Sequence, residues 1–359
     1  MENILYIGEN IIFPSSGMQY VNWRNIELLK TIYSENFYIY SVKGKGTIST
    51  LINSFRGNLA GVNNTSCNKI IDIIDRESIN IIFLSSSHLG KLASKIKRHR
   101  PQIKIITFFH NIEKEYAREE FRVTPSIRNW YLKHIISYNE KLIIKNSDFN
   151  IVLNERDNNS LSKIYNKKAD LILPITFYDK YNENLKKECK KTTKVFRLLF
   201  VGSAFFANIE GINWFLDKVL PYLQNCKLTI VGKGMDKHYE SNDKLDIVGF
   251  VEDLATYYYN ADIVISPIFS GSGMKTKTAE ALMYGCPIIG TKEAFEGYNI
   301  DYNKIGGCIQ NDKEMIQLIS NFQNSKERLE EKGIYAREVF NKEFSMEKTI
   351  SLYSKWINK

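Results

Sequence analysis

The sequence predicts an α/β chain of two doubly wound parallel-sheet domains, on three observations. Short, nearly uninterrupted apolar runs alternate with amphipathic stretches of helical period along the whole length. One charged segment without apolar periodicity, residues 177–194 (FYDKYNENLKKECKKTTK), interrupts that alternation, which then restarts. The length, 359 residues, suits two domains. The pattern divides into a first domain over 1–176, a linker over 177–194, a second domain over 195–340 and a C-terminal helix over 341–359 that is expected to pack back toward the first domain.

In the first domain, residues 3–8 (NILYIG) form a buried strand, followed by a small-residue loop over 13–17 and a helix over 19–34. That helix carries its apolar face on Val21, Trp23, Ile26, Leu28, Leu29 and Ile32. A strand follows at 37–42. Residues 43–64 are polar and contain glycine, and they take no assignment. A helix at 68–74, a strand at 79–84 (INIIFL) and a basic helix at 89–99 come next. The strand at 104–109 (KIITFF) delivers His110 and Asn111 to its C-terminal end, where open α/β sheets bind ligands. A charged stretch begins at 112, a long amphipathic helix covers 127–146, and strands at 151–154 and 170–174 flank a helix at 157–165.

In the second domain, strands are expected at 196–202, 227–232 and 245–251, with helices at 208–223 and 254–260. Residues 262–267 (DIVISP) form a strand, 270–273 a glycine loop, 274–284 a helix stopped by Gly285, and 286–291 (CPIIGT) a further strand. A helix at 314–324 and helical residues over 326–359, broken near 344–345, complete the chain.

The loop Ser270-Gly271-Ser272-Gly273 is the most informative stretch. It feeds a helix N-terminus, where unpaired N–H groups and the helix dipole favour an anion. Its glycines let a phosphate approach the backbone. Lys275 and Lys277 add positive charge, and Glu280, about one and a half turns on, suits sugar or ribose hydroxyls. A phosphate cradle, a cation and a carboxylate together suit a nucleotide-sugar.

Composition narrows the class. Hydrophobic residues make up 43% and charged residues 25%, as in an ordinary globular protein. No run of 18 apolar residues predicts a membrane span, and the N-terminus lacks the unbroken apolar core of a signal peptide. Five scattered cysteines, without metal-ligand spacing, suit a reducing cytoplasm. The net charge of +9 is uneven: residues 1–176 hold 24 Lys+Arg against 16 Asp+Glu, which is +8 of it. A basic first half suits an acidic partner such as an anionic membrane surface, against the plainer reading of a solvated face. No nucleic-acid partner is expected.

These residues carry a resemblance. The run 251–298 (VEDLATYYYNADIVISPIFSGSGMKTKTAEALMYGCPIIGTKEAFEGY) is similar to the signature of group 1 glycosyltransferases, and 198–216 (LLFVGSAFFANIEGINWFL) resembles the first strand, loop and helix of their donor domain. The loop after the first strand, His110-Asn111 and 139–157 (NEKLIIKNSDFNIVLNERD) fit more loosely. The resemblance implies a GT-B fold, two Rossmann-like domains facing a cleft, and a retaining hexosyltransferase-like enzyme of surface polysaccharide synthesis. Its expected substrates are a nucleotide diphosphate sugar and a glycan or lipid-linked saccharide acceptor. No cofactor or metal is expected, since no Asp-x-Asp occurs. The expected location is the cytoplasm, with the inner face of the cell membrane as the surface that a basic domain suits.

The resemblance also implies roles. Glu280 matches the second of a pair of glutamates separated by seven residues; the first falls on Ser272. Relatives carry an Arg and a Lys in the loop that is here 202–208, which begins at Gly202 and holds no cation. Lys275 is the first candidate to replace them and Lys277 the second. Gly271, Ser272, Gly273 and Met274 would cradle the phosphates, and Gly17, with Ser15 and Ser16, would close over them. His110 would hydrogen-bond the transferred sugar. Glu113, one helical turn from His110, reads as a surface glutamate rather than one that orients it; residues 127–136 read as a core-facing helix rather than one at a membrane interface, and Tyr257–Tyr259 as packing rather than a stacking platform. A nucleotide-sugar 2-epimerase of the same fold and a non-catalytic partner subunit are the alternatives.

Overall fold

The computed structural model describes residues 2–14, 16–42, 54, 57–189, 195–271 and 273–358. It contains two six-stranded parallel sheets, one in each of two compact units. The first unit is Met1–Pro174 with Thr349–Lys359, and the second is Ile175–Lys348. The division therefore lies ahead of the charged segment, part of which is helical.

The first unit runs β1 (Ile4–Gly8), α1 (Gly17–Tyr33), β2 (Phe37–Ser41), α2 (Asn64–Arg76), β3 (Ile81–Leu84), α3 (Gly90–His99), β4 (Lys104–Phe109), α4 (Glu113–Val123), α5 (Ile127–Asn146), β5 (Phe149–Val152), α6 (Glu155–Tyr165) and β6 (Leu171–Ile172). Its strand order is β2-β1-β3-β4-β5-β6. β1 and β3 bury every side chain because helices cover both faces of a parallel sheet, which is why these strands read as continuous apolar runs. Ile4 pairs with Phe37 on one side and Ile81 on the other. Side-chain caps open several helices: Ser16 on α1, an Asn63–Ser66 capping box on α2, Ser126 on α5 and Asn154 on α6. Arg24, fully buried, donates through Nη1 to Pro174 O at 2.9 Å and Thr349 Oγ1 at 3.2 Å. That bond joins α1 to the two ends of the unit.

The second unit runs α7 (Glu183–Cys189), β7 (Phe196–Val201), α8 (Phe206–Lys218), β8 (Cys226–Val231), β9 (Leu245–Val248), α9 (Ala255–Asn260), β10 (Ile263–Ser266), α10 (Thr276–Met283), β11 (Ile288–Thr291), α11 (Tyr302–Ile305), β12 (Gly306–Ile309), α12 (Asp312–Gln323) and α13 (Lys326–Val339). A π-helical turn at Phe340–Phe344 then leads to α14 (Met346–Ile357), whose later turns belong to the first unit. The strand order β12-β11-β10-β7-β8-β9 reverses between β7 and β10, as in the doubly wound dinucleotide-binding sheets. Strand β12, which the sequence reading omits, is an edge strand whose first two residues are glycines. The order of the first sheet reverses between β1 and β3. Among the described residues, no helix is long and apolar enough to cross a membrane.

Candidate active site

Each sheet presents its switch point at the C-terminal ends of its strands, where crossovers in opposite directions leave a crevice. In the second unit the loops after β7 and β10 flank that point. Gly202 follows β7, and a Cβ there would lie 2.7 Å from Asn208 Nδ2 and 3.1 Å from Lys277 Nζ. Glycine leaves room for both groups without displacing either. A Cβ on Gly211 of α8 would meet Pro267 O at 1.8 Å, so glycine also lets α8 pack directly on the loop after β10. Phe205, which precedes α8, provides no side-chain cap, and the helix N-terminus keeps N–H groups for another partner.

Lys277 reaches this loop from α10. It is 7% exposed, its Nζ donates to Asn208 Oδ1 at 2.7 Å, and it stands 4.1 Å from the Phe200 ring centroid. Asn208 is oriented in turn by its own bond to Ser203 O at 2.8 Å. No carboxylate among the described residues forms a salt bridge with Lys277. Burial, with Lys275 adding repulsion, pulls its ammonium down to about 7 although Glu280 opposes the shift. Such a cation lacks a counter-charge and suits an anion.

Lys275 is placed differently. Its Nζ bonds Glu293 Oε1 at 2.7 Å and Gly273 O at 2.9 Å. It holds the loop in shape, with Tyr298 OH bracing Lys275 O at 2.7 Å. Gly271 (φ +119°) and Gly273 (φ +66°) supply the left-handed conformations of this turn. Met274 points into the core at 6% exposure. Ser272 lies outside the described residues. Glu280 sits three residues beyond Lys277 on α10, near Tyr258 and Lys180; burial lifts its carboxyl to about 7 against the pull of Lys180, Lys277 and Tyr258.

The first unit carries a second polar cluster at its own sheet edge. His110 follows β4 and is buried, with Nε2 at 3.0 Å from Ser85 O and 2.9 Å from Asn22 Oδ1. Both partners accept, so Nε2 carries the proton and Nδ1 of the neutral ring is an acceptor. Burial brings its pKa down to about 4, with Arg24 and His88 adding to the effect and Glu113 opposing it. Gly17 and Ser16 open α1, where Ser16 Oγ accepts from Gln19 N at 3.4 Å; Ser15 lies outside the described residues.

Glu113 is not a surface residue. Its side chain is 13% exposed and Oε2 lies 3.6 Å from His88 Nε2. Glu140, from α5, takes the backbone N–H of Glu113 (2.8 Å) and of Lys114 (3.1 Å), so it caps α4, whose N-cap residue Ile112 provides no side-chain bond. Sequence reasoning missed Asn22, Ser85, His88, Glu140 and Asn208. Only Asn208 left a signal, as the polar residue in the second position after the Phe-Phe pair that begins α8.

His110 carries a pH prediction. Folding suppresses its protonation between about 6.5 and 4, so the unfolded chain binds more protons there and stability falls as pH drops. The wild type should lose about 3 kcal/mol more than His110→Gln between pH 6.5 and 4, measured as the difference in urea unfolding curves. Equal losses in the two proteins would show that His110 is protonated when folded.

Comparisons with known proteins agree with the fold. Residues 195–321 match the family model described as "Glycosyl transferases group 1". A Klebsiella pneumoniae protein described as an uncharacterized 44.6 kDa protein in the cps region is 27% identical over 123 residues, which is 30% of this chain and 32% of that protein. The chain thus aligns with about a third of that relative's length. Anabaena Alr3699/HepE, solved in complex with UDP, superposes with a TM-score of 0.75 at 11% identity, covering 99% of both chains. Sucrose-phosphate synthase from Thermosynechococcus elongatus gives 0.73 at 15% identity over 100% of this chain and 98% of that one. WaaG, a glycosyltransferase involved in lipopolysaccharide biosynthesis, gives 0.68 at 15% identity over 98% of both.

Proposed function

We propose that this chain, a group 1 glycosyltransferase of the GT-B fold, moves a sugar from a nucleoside diphosphate donor to an acceptor hydroxyl in surface polysaccharide synthesis, with retention and without a metal ion. The observation that carries the proposal is Lys277: a buried cation with no carboxylate partner, at the mouth of a glycine loop and beside an uncapped helix N-terminus. The family resemblance assigns the donor to the second unit, and HepE, of the same fold, has been solved with UDP and with UDP-glucose. The cps-region relative and WaaG support the polysaccharide setting.

In this reading the donor diphosphate lies between the Gly202 loop and the Gly271–Gly273 turn. Lys277 and the first N–H groups of α8 stabilise the negative charge that grows as the sugar–phosphate bond breaks. Lys275 keeps the turn in place through Glu293. Glu280 accepts from the ribose hydroxyls. By the family resemblance, His110 is assigned to a sugar hydroxyl, from which Nδ1 of its neutral ring can accept a hydrogen bond. The acceptor oxygen attacks C1, and the bonding pair of the old C1–O bond leaves with the diphosphate.

Incubation with a panel of nucleotide-sugars tests the reaction type. Release of free nucleoside diphosphate is the expected product. An isomerised but intact nucleotide-sugar would indicate an epimerase, and no binding of any nucleotide-sugar a non-catalytic subunit. A chelator is expected to leave turnover within about twofold; loss of activity that Mn²⁺ restores would refute metal independence.

A further inference from the structure

The long helix of the first unit has two apolar faces, and the core takes one of them. Asn129, Ile135, Asn139, Glu140 and Ile143 of α5 are buried. Asn139 ties the helix to α3: its Oδ1 accepts from Lys91 N at 3.1 Å, and a Cβ on Gly90 would meet Asn139 O at 1.9 Å. Ser126 caps the first turn, and Asn129 Nδ2 donates to Thr124 O at 2.9 Å. The expectation of a core-facing helix over 127–136 holds for this face alone. On the opposite face Ile127 is 89% exposed, Trp130 51% and Tyr138 50%.

These side chains fall in one line. Ile127, Trp130, His134, Tyr138, Lys141 and Lys145 are each three or four positions from the next and all exposed, so they form a single stripe along the helix. Its first half is apolar and aromatic, with the Trp130 and His134 rings 4.6 Å apart. Its second half ends in two lysines.

The charge around the stripe has one sign. The basic residues of α5 are Arg128, Lys133, Lys141 and Lys145, and its one carboxylate, Glu140, is fully buried. Helix α3 carries Lys91, Lys95, Lys97 and Arg98 and no acidic residue. A Cβ on Gly57 would lie 3.5 Å from Lys91 Nζ and 3.7 Å from Tyr138 Cε1, which puts that ammonium beside the middle of the stripe. The carboxylates Glu115, Glu119 and Glu120 of α4 stand among Lys114, Arg118 and Arg122. Another exposed apolar group of this unit, Ile12, Phe13 and Met18, lacks such a setting, since residues 9–19 contain no Lys or Arg.

We propose that the outer stripe of α5, with Lys91 of α3, docks the first unit on an anionic lipid bilayer. Ile127 and Trp130 enter the boundary between headgroups and acyl chains, the level that suits an indole. Lys141, Lys145 and Lys91 lie over the lipid phosphates. The helix rests on the surface with its other face still in the core. No donor-site residue takes part, so the docking stands apart from the glycosyltransferase reading.

Co-sedimentation of the full chain with vesicles tests this. Vesicles of phosphatidylglycerol and phosphatidylcholine in equal parts should bind the wild type, and phosphatidylcholine alone far less. Raising salt from about 0.05 M to about 0.5 M should weaken the binding. Ile127→Ser with Trp130→Ser should weaken it about tenfold or more, and Lys141→Gln with Lys145→Gln about fivefold for each charge. All four side chains are exposed, so the melting temperatures should stay at the wild-type value. Tryptophan emission reads the same contact: brominated phosphatidylglycerol should quench the wild type, and Trp130→Phe should lose most of that quenching. Absence of binding at low salt, binding that these substitutions leave unchanged, or quenching that persists in Trp130→Phe overturns the proposal. Self-association of the chain that Ile127→Ser with Trp130→Ser abolishes also overturns it, because a second copy would then cover the face.

Discussion

Lys277→Met should stabilise the protein and weaken its donor binding. The two effects have one cause. A buried ammonium without a carboxylate partner costs several kcal/mol while it is charged, and methionine fills the same space without that cost. The sign follows from the direction of the shift. The unfolded lysine keeps its proton to about pH 10.5, while burial lowers the folded one to about 7. The folded state therefore gains stability from deprotonation only as pH rises from 7 toward 10.5. Below 7 the wild type bears the full cost, so the variant's advantage should be greatest there, at about 2–4 °C of melting temperature per kcal/mol relieved. Nucleoside diphosphate binding should fall roughly tenfold to a hundredfold, the worth of one charge-assisted bond. Both signs are read by thermal melts with and without ligand. A variant that is less stable and still binds would remove Lys277 from the site.

Glu280→Ala should lower donor-dependent turnover at least tenfold and leave the fold intact. A carboxylate that accepts from two ribose hydroxyls loses bonds of about 1.5–3 kcal/mol each. Glu280 must be ionised to accept, and burial holds its carboxyl near 7. Lys277 must be protonated to hold the diphosphate, and it too sits near 7. Donor affinity should therefore pass through a maximum near pH 7. Glu280→Gln should flatten the acid side and Lys277→Met the alkaline side. Wild-type turnover in Glu280→Ala, or an affinity that is flat from pH 5 to 9, would contradict the assignment.

Much of the fold was legible because parallel strands covered on both faces leave unbroken apolar runs such as residues 4–7 and 263–265. Strand β12 was not, for a physical reason. Its residues are GGCI, and glycine ordinarily argues against a strand. Gly306 is needed because a Cβ there would meet Ile288 O at 2.1 Å, a constraint set by β11, which pairs alongside and is not visible in the local GGCI run.

The site divides in the same way. The glycine loop and Glu280 stand in one short stretch and could be read together. The order of the two lysines could not, because both precede or open the same helix. What separates them is Glu293, which takes Lys275 from 18 residues away, and Asn208, which takes Lys277 from 69 residues away. Glu113 was read as a surface residue because its helix is strongly charged. Its burial depends on His88 and Glu140, which reach it from other elements.

Hydrogen exchange with and without the nucleoside diphosphate that most raises the melting temperature tests the central claim most directly. Protection is expected in two segments of the second unit, residues 202–209 and 271–280, as backbone N–H groups of the glycine loop, the start of α8 and the start of α10 become bound. Binding without protection in either segment, or protection confined to the first unit, would contradict the placement of the donor at Gly202 and Lys277.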